Sequence, residues 1–312
     1  MICDLRHRGR LFLLFILLLP LFPACTSLTQ LPVEPVISKV DSLDTVIRDI
    51  EQYHRKRQDK VLVIFDIDNT LVTMPQDLGS VAWYEWQSRL AKTPGVEPEE
   101  IGKLLDVQGI ILSLSEMVPT QQNVAGMINT LKSSGHTVLA LTARGPENSN
   151  ATQRVLQTNN IQFSSISTCG EPLCKPHQAA WMILDDTAKQ LLGAKALVAN
   201  NYKFNRYIRF DSGILFSSGQ NKGIALRLLL ESIGHDWFGA IFFVDDSQHN
   251  IANLKTSWRY ISKPLRLYQY TRFDKDVADF LQNVRRQKKT HQQWQQLKKA
   301  ICQSVSANIC EN

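Results

Sequence analysis

The chain has 312 residues, 44% of them hydrophobic, with 35 Lys and Arg against 29 Asp and Glu for a formal net charge of +6. That apolar content supports one sizeable core or two modest ones and excludes a disordered or fibrous protein.

Residues 1–24 are expected to lie outside the fold. Arg6, Arg8 and Arg10 precede the apolar run LFLLFILLLPLF, Leu11 to Phe22. The run is short for a bilayer span, and a basic start, apolar middle and small-residue end describe an export signal. Cys25, in LFPACTS, resembles the lipid-accepting cysteine of a bacterial lipobox, although Phe22 and Pro23 depart from that pattern. The chain is therefore expected to be exported, to the periplasm or, through a lipidated Cys25, to a membrane-anchored form, with secretion as a further alternative.

Residues 25–58 read as a Pro-containing linker followed by an amphipathic lead-in helix, since Val46, Ile47, Ile50 and Tyr53 recur at helical spacing within Asp41 to Arg57. The stretch VLVIFDIDNTLV, Val61 to Val72, is a continuous apolar run ending in two acids, Asp66 and Asp68. Such a run suits a parallel strand covered on both faces by helices. TVLALTAR, Thr137 to Arg144, and AIFFVDD, Ala240 to Asp246, repeat the pattern. Each follows a helical segment stopped by glycine, at Gly135 and Gly234. YIRFDSGILFSSGQNKG reads as a strand or hairpin feeding a helix.

Alternating helices and buried strands predict an α/β fold with a doubly wound, mostly parallel sheet. The expected core comprises residues 59–75 and 126–272, with a helical cap insertion over 76–125 and a basic helical C-terminal extension over 273–312. Cys169 with Cys174, and Cys302 with Cys310, are spaced for local disulfides in an oxidising compartment, buried free thiols being the alternative.

Ligands of such sheets bind beyond the carboxyl ends of the strands. There this sequence places Asp66 and Asp68, Thr142 and Arg144, and Asp245 and Asp246. Four carboxylates would repel one another without a cation, and a few hard oxygen ligands shared with phosphate suit Mg²⁺. Asp66 could attack phosphorus while Asp68, two residues on and on the same side of an extended strand, moves the proton. Lys222, opening the helix of NKGIALRLLL, offers positive charge where a helix N-terminus also favours an anion. Thr142 offers a donor to phosphate oxygens.

FDIDNTL, LALTARG, Lys222 in GQNKG and IFFVDDSQHNI stand in the order of the four motifs of the haloacid dehalogenase (HAD) superfamily, which the chain resembles over most of its length after residue 24. The resemblance implies a HAD-like core with Asp66 as nucleophile and Mg²⁺ ligand. Asp68 would be the general acid and base, its backbone carbonyl meeting the metal, and Thr142 and Lys222 would bind phosphate. Asp245 and Asp246 would complete the metal site, with Asn250 standing where some relatives carry a further acid.

An exported chain with FDIDNTL resembles the secreted class B and class C acid phosphatases, and LGSVAWYEWQ resembles an uncharacterised HAD-like family of intracellular bacteria. The function implied is an exported, Mg²⁺-dependent phosphomonoesterase acting on a small phosphorylated substrate. A binding or effector protein with little turnover and a phosphotransferase are the alternatives.

Other residues have blander readings beside functional ones. Trp83, Tyr84 and Trp86 would form either helix core or a substrate lid. Arg144 is expected to be solvated or salt-bridged. His136, His177 and His249 lack metal-ligand spacing. The basic C-terminal helix reads as a solvated face rather than a nucleic-acid or membrane contact.

Overall fold

A computed structural model describes residues 34–90, 104–164, 180–204, 206–234, 236–258, 263–305 and 310. The segment expected to be an export signal, Cys25, His177 and the pair Cys169 and Cys174 lie outside the described residues, as does part of the insertion. In chain order the first elements are β1 (Val36–Val40), α1 (Leu43–Arg57), β2 (Val61–Phe65), β3 (Val72–Thr73), α2 (Val81–Leu90) and α3 (Leu104–Leu114). Then follow β4 (Val118–Pro119), α4 (Val124–Ser133), β5 (Thr137–Thr142), α5 (Ser149–Thr158), β6 (Ala180–Ile183), α6 (Asp185–Leu192) and α7 (Ala194–Ala199). The last are β7 (Ile208–Asp211), β8 (Ile214–Phe216), α8 (Lys222–Ile233), β9 (Ala240–Asp245), α9 (Gln248–Ser257), β10 (Leu265–Tyr270), α10 (Asp274–Gln282) and α11 (Val284–Ser304).

The mixed α/β architecture and the mostly parallel sheet are as the sequence predicts. The main sheet has the order β1-β10-β9-β2-β5-β8-β7-β6, and β3 and β4 form a separate antiparallel pair. Pairing is parallel from β1 through β8 and antiparallel for β7 and β6. YIRFDSGILF supplies the β7–β8 hairpin and leads into α8. The linker expectation fails in part: within VEPVISKV, Val36–Val40 is a strand, held at the sheet edge by parallel pairing to β10.

Strand alternation sorts the core onto two faces. Val61, Val63 and Phe65 of β2 join Val138 and Ala140 of β5 and Phe242 and Val244 of β9, against α1, α4 and α5. Leu62, Ile64, Leu139, Leu141, Ile241 and Phe243 face the other way, toward α6, α7, α8 and α9. Each Val, Leu, Ile or Phe among these, moved from water into a close-packed interior, contributes about 1.5–3 kcal/mol, which is why central strands read as unbroken apolar runs. α4 ends where the sequence predicts, Gly135 taking a φ of +81° that other residues rarely adopt.

The C-terminal helices are not a free-standing solvated extension. Phe280 and Trp294 are buried with Trp83, Leu104, Val107 and Ile111 in a third apolar cluster, so α10 and α11 share a helical layer with the insertion helices α2 and α3. Arg286 forks onto Asp77, its Nε donating to Oδ2 at 3.1 Å and its Nη2 to Oδ1. Cys302 and Cys310 form a disulfide, as their spacing suggests, across the end of this layer. Among the described residues, no helix is long and apolar enough to cross a membrane.

Candidate active site

The two-face pattern dictates where the acids point. Asp66 continues the Leu62, Ile64 register and Asp245 the Ile241, Phe243 register, so both carboxylates turn toward α8. Lys222, the first residue of α8, meets them there: its Nζ donates to Asp66 Oδ1 at 2.5 Å and to Asp245 Oδ2 at 2.7 Å. Lys222 is 2% exposed, Asp66 4% and Asp245 0%, so this contact is dry. Asp66 N donates to the Val244 carbonyl at 2.8 Å, fixing the end of β2 against β9.

Asp245 is enclosed by donors. Its Oδ1 accepts from Ser247 N and Asn250 Nδ2, each at 2.9 Å, and its Oδ2 accepts from Asn250 Nδ2 at 3.2 Å as well as from Lys222. Asn250 thus orients Asp245 rather than adding charge. Asp246, by contrast, has no hydrogen-bond or ion-pair partner among the described residues. Asp66, Asp245 and Asp246 each bring a carboxylate oxygen to within 4.8 Å of the other two.

Three acids around one ammonium leave surplus negative charge in a buried place. Burial, opposed by Lys222 and reinforced by Asp245 and Asp68, pushes the Asp66 carboxyl up to about 7. Burial, then Asp66 and Asp245, hold Asp246 well above the usual carboxylate range. Burial would lower the Lys222 ammonium, but Asp245 and Asp66 outweigh it and hold the pKa above that of an ordinary lysine. A bound cation removes the same surplus, and three hard carboxylate oxygens, one set belonging to the unpartnered Asp246, fit a divalent ion.

Asp68 does not share the direction of Asp66. β2 ends at Phe65, and the chain turns through Asn69, at φ +55°, whose Oδ1 accepts from Thr73 Oγ1 at 2.8 Å. The strand alternation expected to aim both acids at one point therefore stops before Asp68. Its carboxylate takes a bidentate pair from Arg144, Nε to Oδ2 at 3.0 Å and Nη2 to Oδ1 at 2.7 Å, while Arg144 Nη1 donates to Thr152 Oγ1 at 3.0 Å. Arg144 is the salt-bridged residue the sequence suggests, and its partner is a candidate catalytic acid.

Thr142 closes β5 fully buried, on the Val138, Ala140 face, and its Oγ1 accepts from Arg144 N at 3.2 Å. Its hydroxyl is thus a turn cap in this structure, set on the opposite sheet face from Lys222. The N-terminus of α8 is not an open anion site: Asn221 Oδ1 accepts from Gly223 N at 2.9 Å and Ile224 N at 3.2 Å. This cap is a role Asn commonly fills. Trp83 is core and not lid, being 1% exposed, whereas Tyr84 is half-exposed and Trp86 packs edge-on to Phe280. His249 is exposed on α9. A cavity of about 720 Å³ lies elsewhere, between β1 and α1, lined by Lys39, Arg48, Asp49 and Tyr268 among others.

Sequence reading did not foresee the capping role of Asn221, the tether of Asn250 on Asp245, or the pairing of Arg144 with Asp68. The first could have been found from Asn standing directly before the helix; the other two have no local signal. A family described as "Protein of unknown function (DUF2608)" matches residues 41–307, and the chain belongs to it. No curated protein matches the chain.

Proposed function

We propose that this DUF2608 member is an exported, Mg²⁺-dependent phosphomonoesterase of the HAD type, with a HAD-like core over residues 59–75 and 126–272 and a cap over 76–125. The observation that carries the reading is the dry contact of Lys222 with both Asp66 and Asp245. A buried ion pair is weak support for stability, since apolar residues of similar volume often do as well. Its use lies in chemistry, where a nucleophile must be held beside positive charge.

In this scheme an Asp66 carboxylate oxygen bonds to phosphorus as the bond from phosphorus to the ester oxygen breaks. The departing oxygen takes a proton from the Asp68 carboxyl, leaving an acyl phosphate on Asp66. Asp68, now a carboxylate, takes a proton from water as the water oxygen attacks phosphorus. The bond to Asp66 breaks, orthophosphate leaves and both acids are restored. Lys222 stays against Asp66 throughout and offsets charge on the transferring oxygens. Thr142, once its hydroxyl proton is turned outward, is the phosphate donor of the scheme.

Asp66, Asp246 and the Asp68 backbone carbonyl would hold Mg²⁺, with Asp245 completing the site from behind, its oxygens already engaged. When bound, the ion supplies charge neutralisation for the phosphoryl oxygens.

One observation favours a second reading, a phosphate-binding protein with little turnover. Asp68 cannot reach a substrate while both its oxygens hold Arg144. Release of orthophosphate from a panel of phosphomonoesters, with and without Mg²⁺, separates the two. Metal-dependent release abolished by Asp66→Asn is expected. A folded protein that binds Mg²⁺ and phosphate but frees none from any ester would overturn the enzyme in favour of the binder.

A further inference from the structure

The connection from α7 to β7 is bonded to the turn that precedes Lys222. β8 pairs parallel to β5 and β7 antiparallel to β8, with Arg209 opposite Phe216, so the start of β7 lies at the carboxyl end of the parallel strands. The turn Ser217–Gln220, which leads directly into Asn221 and Lys222, is tied down on both sides. Toward β5, Ser217 N donates to Thr142 O at 2.9 Å, Gly219 N to Ala143 O at 2.8 Å and Ser218 N to Arg144 O at 3.1 Å.

Toward the connection, the buried Gln220 accepts from Lys203 N at 2.7 Å and donates to Lys203 O at 2.5 Å and Arg206 O at 3.0 Å. The Ser218 hydroxyl donates to Tyr207 O at 2.5 Å. Arg206 is exposed, and its Nη1 lies against Gly219, 3.3 Å from where a Cβ would stand, at a residue whose φ is +68°. Neither Arg206 nor Lys203 has an ion-pair partner among the described residues.

A guanidinium on a braced backbone, unneutralised by any described acid and resting on Gly219, whose N–H holds the Ala143 carbonyl between Thr142 and Arg144, is placed to grip a planar anion with two parallel donors. The bracing by Gln220 and Ser218 removes much of the ordering cost that a mobile loop would bring to binding. Resting on the phosphatase reading, we infer that Arg206 selects the substrate, and that the accepted esters carry a second anionic group on the alcohol being released.

The test compares 3-phosphoglycerate with glycerol 3-phosphate, which share a three-carbon skeleton and differ in that the first carries a carboxylate. With the full chain and Mg²⁺, kcat/KM is expected to favour 3-phosphoglycerate by about tenfold or more, the scale of a charge-assisted hydrogen bond. The preference should reside in KM, fall toward unity in Arg206→Gln and be partly kept in Arg206→Lys. An unchanged ratio in Arg206→Gln overturns the role of Arg206. If neither ester is hydrolysed, the wider ester panel decides the hydrolase reading, and calorimetry decides the inference: Asp66→Asn should bind 3-phosphoglycerate the more tightly, and Asp66→Asn with Arg206→Gln should not. Equal affinities in Asp66→Asn would sink it.

Discussion

Lys222 concentrates the electrostatics of the site. Among the described residues it is the one cation touching Asp66 and Asp245, and Asp246 lies beside them without a partner. Lys222→Met keeps the volume and removes the charge, leaving buried acids uncompensated, a change that costs about 3–5 kcal/mol. Urea melts of this variant without metal are expected to show that loss, and millimolar Mg²⁺ should narrow the gap by supplying the missing charge. Phosphate release should fall by about 10² or more even with Mg²⁺, as when a preorganised electrostatic group is removed. Melts indifferent to Mg²⁺ in both parent and variant would show that the acids hold no such ion.

Among the elements, β5 carries a titratable contact at its entrance. His136 stands between Gly135 and the strand, its Nδ1 accepting from Val61 N at 3.4 Å and its ring edge-on to His54 with centroids 4.8 Å apart. Burial first, and then His54, lower its pKa below the ordinary histidine value. The unfolded chain therefore binds this proton at a higher pH than the folded one. The folded state keeps its full stability above the unfolded value of about 6.5 and loses it as pH falls through that value toward the lower folded one. Asp66 and Asp246, raised by burial, change stability in the opposite sense. The contribution of His136 to the urea midpoint, a downward slope as pH falls below about 6.5, is therefore read as the difference between parent and variant. His136→Gln, which retains an acceptor for Val61 N, should flatten that slope; an identical slope would assign the acid sensitivity to other groups.

At the scale of the molecule, the insertion and the C-terminal helices are one structure although the chain separates them by most of its length. Trp83 of α2 and Trp294 of α11 are both buried in the cluster they share. Trp294→Ala should cost about 3–5 kcal/mol, the usual range for emptying a large aromatic site. If this layer unfolds together with the sheet, circular dichroism and intrinsic fluorescence will shift to lower urea together. An early separate transition in the variant would mark the layer as an independent unit.

Much of the fold was legible because its signals act between near neighbours. Val61–Phe65, Thr137–Thr142 and Ala240–Asp245 announced buried strands by unbroken apolar runs, and Gly135 marked a helix end by a backbone angle open to glycine. The stretch YIRFDSGILFSSGQNKG around Lys222 announced a strand or hairpin feeding a helix. The acids at the strand ends followed from the same local patterns, so Asp66, Lys222, Asp245 and Asp246 could be proposed together.

What only tertiary structure decided depends on residues remote in sequence. β1 was invisible because Val36 and Ile37 are half-exposed at a sheet edge and lack the apolar run of a covered strand; pairing with β10 alone makes it a strand. Arg144 meets Asp68 across 76 residues, and Lys222 meets Asp66 across 156. Local sequence fixes which segments are strands and helices through steric preference and burial. Sheet order, set by how those segments pack together, decides which charges share a low-dielectric space, and so which acid faces a lysine, which an arginine, and which is left for a cation.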